Sequence, residues 1–161
     1  MSTRDAPERQ AARLSGPAPR ILVIQAPYYE QVVGGMLRGA ERVLAEAGAA
    51  LEVVSVAGAF ELPAALRMAL SHPGARHDGF LLLGCVVKGE TDHYDFICDA
   101  VCHGVMAIGV ETGAAVGFGL LTVDTLQQAI ARSSDDRHNK GAEAARALLG
   151  QVALRRRWGL A

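Results

Sequence analysis

Gly79-Phe80-Leu81-Leu82-Leu83-Gly84-Cys85-Val86-Val87 runs straight into Lys88-Gly89-Glu90-Thr91-Asp92-His93-Tyr94-Asp95, and the two pieces together read as strand, turn and helix. The first piece is apolar almost throughout, as a strand covered on both faces should be. The second opens a helical pattern in which Tyr94, Ile97, Cys98, Val101, Val105 and Ile108 return at intervals of three and four. Strand, glycine, hydroxyl and helix in that order aim backbone N–H groups at an anion. The same residues also suit a plain helix start, with Gly89 in the turn and Thr91 or Asp92 as N-cap. His93 carries the side chain that titrates near neutral pH. It is either a general acid–base or an exposed first-turn histidine, and the local pattern leaves both open.

Working outward, three more β-prone runs cover residues 20–26, 50–56 and 115–122, the last again almost unbroken in apolar character and expected to be covered on both faces. Between them lie helical patterns. Val33, Met36, Leu37, Ala40, Val43 and Leu44 make one, and residues 62–70 a shorter one starting beside Pro63. Residues 124–132, with Asp124 as the expected cap, and residues 139–156 complete the set. Strand and helix alternate every thirty residues or so, which requires parallel strands joined by right-handed crossovers. The expected fold is α/β, a three-layer αβα sandwich of the flavodoxin-like kind with a four-stranded parallel sheet. Residues 20–161 form its single domain. Residues 1–19, with Pro7, Pro17 and Pro19 and no periodicity, read as a flexible arm or one that orders only against a neighbour.

Half of the 161 residues are hydrophobic and a fifth are charged, at a formal net charge of −1, which argues against a nucleic-acid-binding surface. Arg155-Arg156-Arg157, the one basic cluster, reads as a solvated helix end. No stretch approaches the ~20 apolar residues of a membrane span, and Met1-Ser2-Thr3-Arg4-Asp5 has no apolar signal core. Cys85, Cys98 and Cys102 read as reduced thiols, and a cytoplasmic location follows. Cys98 and Cys102, at i and i+4, suit core packing better than a metal site. No Walker loop or dinucleotide fingerprint is present.

In a sheet of this kind the ligand site lies beyond the carboxyl ends of the strands. Residues 27–29, 57–61 and 88–93 and the loop after Thr122 should meet there. Tyr28 could stack on a flat ring or pack on its own core. Glu61 could accept hydrogen bonds from ligand hydroxyls or simply start a helix. Arg132, at a helix end, is placed to fork onto a phosphate.

Five segments in register carry a resemblance: Gly58-Ala59-Phe60-Glu61-Leu62-Pro63, Lys88-Gly89-Glu90-Thr91-Asp92-His93-Tyr94-Asp95, Gly117-Phe118-Gly119-Leu120-Leu121-Thr122, Gln128-Ala129-Ile130-Ala131-Arg132 and Asn139-Lys140-Gly141. In order and spacing they resemble the lumazine synthases, over residues 20–155. The resemblance implies a transferase of riboflavin biosynthesis that uses no cofactor and no metal. Such an enzyme condenses 5-amino-6-(D-ribitylamino)uracil with 3,4-dihydroxy-2-butanone 4-phosphate to 6,7-dimethyl-8-ribityllumazine. By matching position His93 would shuttle protons and Tyr28 would stack on the pyrimidine. Ala59, Phe60, Glu61, Cys85, Val86, Val87 and Phe118 would line the pyrimidine and ribityl pocket. Glu90, Thr91, Arg132 and Lys140 would hold the ketone phosphate, and Asp92 would be a cap.

It further implies a homopentamer, or a shell of sixty subunits, with Phe118, Arg132 and Lys140 supplied by a neighbour. Two departures stand out. Tyr28-Tyr29 replaces the family's Phe or Trp followed by Asn, and the loop Ser133-Ser134-Asp135-Asp136-Arg137-His138 lacks its usual glycines. A lumazine- or flavin-binding relative without turnover and a shell-forming scaffold are the alternative readings.

Overall fold

Four runs of branched apolar residues build the sheet: β1 (Arg20–Gln25), β2 (Ala50–Ser55), β3 (Gly79–Val87) and β4 (Val116–Val123). The computed structural model describes residues 14–74 and 76–160. All four strands are parallel, in the order β2-β1-β3-β4, with Val23 opposite both Val53 and Leu81, and Leu82 opposite Phe118. Parallel neighbours need helical crossovers, and the chain supplies α1 (Glu30–Glu46), α2 (Leu62–Ser71), α3 (His93–Thr112), α4 (Leu126–Ser133) and α5 (Lys140–Arg157).

The pleat divides the strand side chains between two cores. Val23, Leu81 and Leu83 face α1, α4 and α5, where they pack with Met36, Leu44, Leu148 and Leu149. Leu22, Ile24 and Leu82 face α2 and α3, where they meet Leu62, Leu66 and Val101. The three-layer α/β sandwich expected from the sequence is the fold observed.

The first face is sealed by unusually close helix approach. A Cβ at Gly35 would strike the Ser133 carbonyl, one at Gly39 the Asn139 amide, and one at Gly141 the backbone of Met36. Asn139 fills the resulting crevice and is almost fully buried. Its Nδ2 reaches the carbonyl oxygens of Gly35 at 3.0 Å, Ser133 at 3.1 Å and Ser134 at 3.0 Å, while its Oδ1 accepts from the Ala142 N–H at 3.0 Å. One side chain therefore caps α5 and ties α1 and α4 to it. On the sheet side, Cβ atoms at Gly117 and Gly119 would meet Ala144, Leu148 and Leu83, so α5 lies directly on β4.

The second face is less complete. β4 was expected to be covered on both faces, but Phe118 and Thr122 are exposed while Gly117, Gly119, Leu121 and Val123 are buried. As an edge strand it receives α5 on one side and only partial cover from α3 on the other. β2, the opposite edge, is exposed along its whole length, Leu51, Val53 and Val54 included. On α3 only Val101 and Val105 are fully buried, and Phe96, Met106 and Val110 point outward, the last 77% exposed. Cys98 is half-buried and Cys102 exposed, so the pair does not pack into the core as expected.

Three local readings need correction. Thr125, not Asp124, caps α4: its Oγ1 accepts from the Gln128 N–H at 3.3 Å, and Gln128 Oε1 accepts in return from the Asp124 N–H at 2.9 Å. This is close to a reciprocal capping box. The basic cluster is not simply solvated. Arg156 donates to the Ser15 carbonyl at 2.8 Å and pairs with Asp78 at 3.4 Å, while Arg155 holds the carbonyls of Gly113 and Leu160. The arm residues 1–13 lie outside the described residues. Residues 14–19, assigned to the same arm, are seated on the domain: Leu14 packs on the core, and the Pro19 carbonyl accepts from the Ala50 N–H at 2.8 Å.

Replacing Asn139 by Ala removes a cap and strands buried carbonyls, at a cost of about 2–4 kcal/mol. Urea unfolding should show a correspondingly lower midpoint for Asn139→Ala. A change under about 0.5 kcal/mol would show that the crevice does not depend on this amide.

Candidate functional site

The strand order reverses between β1 and β3, because the chain leaves β1 for β2 on one side and returns to β3 on the other. The loops after these two strands diverge, and the crevice at their carboxyl ends is where open α/β sheets bind ligands. Pro27–Tyr29 follows β1 as one turn of 3-10 helix, Ala59–Glu61 follows β2 as another, and residues 88–92 connect β3 to α3. Tyr28, Phe60, Glu61, Glu90, Thr91 and His93 are all exposed along this edge, Tyr28 at 76% and Phe60 at 59%. The single chain thus brings together most of the residues singled out from the sequence.

Tyr29 explains how Tyr28 is presented. It is half-buried against the first core, and its ring meets that of Tyr28 edge-on at 5.2 Å and 70°. Burial, with Cys85 and Tyr28 nearby, raises the Tyr29 phenol above its ordinary value. Tyr29 is a packing residue here, and it leaves the Tyr28 ring standing free. At the β2 loop, the Glu61 carboxylate lies back over Gly58, close to where a Cβ would stand (3.2 Å), and makes no cap bond.

The start of α3 is open. Asp92 occupies the N-cap position, but its side chain caps nothing, contrary to the expected role; only its carbonyl is used, by the N–H groups of Asp95 (3.0 Å) and Phe96 (3.3 Å). The N–H groups of His93 and Tyr94, without a side-chain cap at the positive end of a twenty-residue helix, are placed to meet an anion. His93 is the first residue of that helix.

The three segment-lining residues of β3 divide by the pleat. Cys85 and Val87 pack toward the first core, whereas Val86, opposite Thr122, faces the other way. Cys85 is buried, and burial pushes its thiol from 9.0 up to about 11. It can offer a ligand its backbone but not a thiolate. Ala59 is half-buried against the second core.

Phe118, Arg132 and Lys140 do not join the group within one chain. Phe118 sits mid-strand on β4, five residues before Val123 and therefore roughly 16 Å short of the strand end. Arg132 ends α4 with its Nη1 donating to the Gln128 carbonyl at 2.9 Å, and Lys140 begins α5 paired with Glu143. Both helices lie on the face of the sheet opposite α3. Two residues that the sequence pattern left without a role do stand at the site. The Lys88 ammonium lies 6.0 Å from the centroid of the Tyr94 ring, which is half-buried in the first turn of α3. A basic residue directly between a buried strand and the turn glycine was the signal for Lys88.

A family model described as 6,7-dimethyl-8-ribityllumazine synthase matches residues 18–156. The chain belongs to that family. Similar proteins include the 6,7-dimethyl-8-ribityllumazine synthase of Bartonella bacilliformis, 38% identical over 88% of this chain and 93% of the relative. That of Paramagnetospirillum magneticum is 40% identical over 88% and 97%. The 6,7-dimethyl-8-ribityllumazine synthase 1 of Rhizobium meliloti is 41% identical over 86% and 93%. The lumazine synthase match begins two residues before β1 and ends one short of the end of α5, so it spans every strand and helix described above. Among the described residues no helix is long and apolar enough to cross a membrane.

At pH 8 on the order of one Cys85 thiol in a thousand is ionised. A thiol reagent should therefore modify Cys85 no faster than the chain unfolds, as read by mass spectrometry of labelled peptides. Labelling within minutes in the native protein would place the thiol in an open pocket. The same shift stabilises the fold fully below about pH 9, and the contribution is lost as pH rises through 11.

Proposed function

We propose that the chain is the transferase of riboflavin biosynthesis that condenses 5-amino-6-(D-ribitylamino)uracil with 3,4-dihydroxy-2-butanone 4-phosphate. The products are 6,7-dimethyl-8-ribityllumazine, phosphate and water. The observation that carries this reading is the family match across the whole domain, with His93 heading an uncapped α3 at the switch point of the sheet.

The chemistry asks for little more than positioning and proton transfer. The amine attacks the ketone, an imine forms, phosphate leaves, and ring closure completes the second ring. Holding both reactants in one crevice raises their effective molarity. His93 moves protons at the carbonyl under attack. Tyr28 stacks on the pyrimidine. Phe60 and Ala59, with the backbone of Cys85 and the side chain of Val86, line the pocket beside Val87, and Glu61 accepts from ligand hydroxyls. The turn at Gly89, Glu90 and Thr91 receives the phosphate through backbone N–H groups and the Thr91 hydroxyl. Glu90 contributes only its backbone there, since its carboxylate repels an anion. This phosphate grip supplies binding energy remote from the reacting carbonyl.

Phe118, Arg132 and Lys140 act on the site of a neighbouring subunit, in a homopentamer located in the cytoplasm. Their separation from His93 within one chain supports this. So do the bare β2 edge and the apolar outer face of α3, which a lone subunit would expose to water. Pro17 and Pro19 cannot donate ladder hydrogen bonds, which disfavours strand addition along this segment and favours a free pentamer over a sixty-subunit shell.

His93→Ala should slow lumazine formation by roughly 10²–10⁴-fold, followed by absorbance, while the assembly stays intact. A variant at the wild-type rate would remove His93 from the mechanism. Sedimentation of the purified protein should give a particle of five 16.9 kDa chains. A megadalton species would replace the pentamer by a shell.

A further inference from the structure

The turn that receives the phosphate is poor in positive charge. Glu90, Asp92 and Asp95 are all exposed there, three carboxylates within six residues. A phosphate monoester is close to a dianion at neutral pH, and helix-end N–H groups alone offset only about half a unit charge. Within the same chain, Arg132 is folded onto its own helix and Lys140 is paired with Glu143. Lys88 is the cation the segment itself provides.

Its position is constrained at both ends. The Lys88 N–H donates to the Val123 carbonyl at 2.8 Å, which fixes the backbone to the end of β4. The ammonium lies over the face of Tyr94, one residue after His93, at 6.0 Å from the ring centroid. The ion pairs among the described residues do not include it. An aromatic face attracts a cation without neutralising it, so the charge stays available to an incoming anion. Tyr94 is itself half-buried in the first turn of α3, with Thr122 and Cys98 nearby.

We propose that Lys88 is a binding residue for the phosphate of the ketone substrate, and that Tyr94 is a positioning residue that holds the Lys88 ammonium beside the Gly89–Thr91 turn. This rests on the function proposed above and adds a cation from the subunit that carries His93. The phosphate is then gripped from both sides of the subunit boundary, by Lys88 on one and Arg132 on the other.

Steady-state kinetics with each substrate varied separately test it. Lys88→Met should raise KM for the phosphorylated ketone roughly tenfold, the size of one charge-assisted hydrogen bond. KM for the pyrimidine should stay within about twofold. Lys88→Arg, which keeps the charge, should recover most of the loss. Tyr94→Leu should reproduce part of the Lys88→Met effect on the ketone alone, and Tyr94→Phe, which keeps the aromatic face, should raise the ketone KM less than Tyr94→Leu. Inorganic phosphate, used as a competitive inhibitor, should bind Lys88→Met correspondingly less well. Unchanged ketone KM in Lys88→Met, or equal rises for both substrates, would overturn the assignment while leaving the enzyme reading intact. A wild-type protein that forms no lumazine would overturn that reading and this inference together.

Discussion

One buried side-chain amide holds the helical layer on the sealed side of the sheet together. Asn139 lies where α1, α4 and α5 converge, at a crossing so tight that Gly35, Gly39 and Gly141 have no room for a Cβ. The amide meets carbonyl oxygens from α1 and from the end of α4, and caps α5 at the same time. With those helices fixed to one another, α5 can lie flat on Gly117 and Gly119, and β4 is held against β3. The end of β4 then fixes the backbone of Lys88 through the Val123 carbonyl. The chain of contacts runs from a polar atom in the core to the first residue of the turn that leads into α3.

The opposite face has the contrary character. There α2 and α3 leave Phe118 partly open, β2 uncovered, and a row of apolar side chains on α3 facing out. The two faces divide the labour between structure and site. His93, Tyr28 and the turn at Gly89–Thr91 belong to the carboxyl edge of the sheet, while Arg132 and Lys140 sit on helices of the sealed face. Within one chain Arg132 and Lys140 are turned to Gln128 and Glu143 instead of toward that edge.

Much of this was legible in the sequence where the signal is local. The run from Gly79 to Asp95 specified a strand, a turn and a helix, and β3 and α3 follow it closely because apolar runs and three–four periodicity are read over neighbouring residues. The parallel order followed from the spacing of elements. Readings failed where neighbouring caps compete and where distant residues decide. Thr125 rather than Asp124 caps α4 because Gln128 reaches back over it, and Asp92 leaves its helix uncapped. Alternation along β4 depends on α3 lying over only part of that strand. Cys102 lies at a spacing that suits the core, yet it points away because the helix turns its narrow buried stripe through Val101 and Val105. The roles of Gly39 and Asn139 were invisible, since their partners lie a hundred residues apart in the chain. Of the site, the edge residues were legible as a group, whereas the packing role of Tyr29 and the nearness of Lys88 to Tyr94 required coordinates.

The uncovered β2 strand has a consequence for how the protein comes into being. Among the described residues of a lone chain, β2 is a sheet edge paired only with β1, with Leu51, Val53 and Val54 exposed on it. Such an edge pairs with whatever strand it meets first. Any contact that covers this edge would protect it from aggregation, which quickens with concentration. The longer a lone chain persists, the longer Leu51, Val53 and Val54 stand open to such pairing.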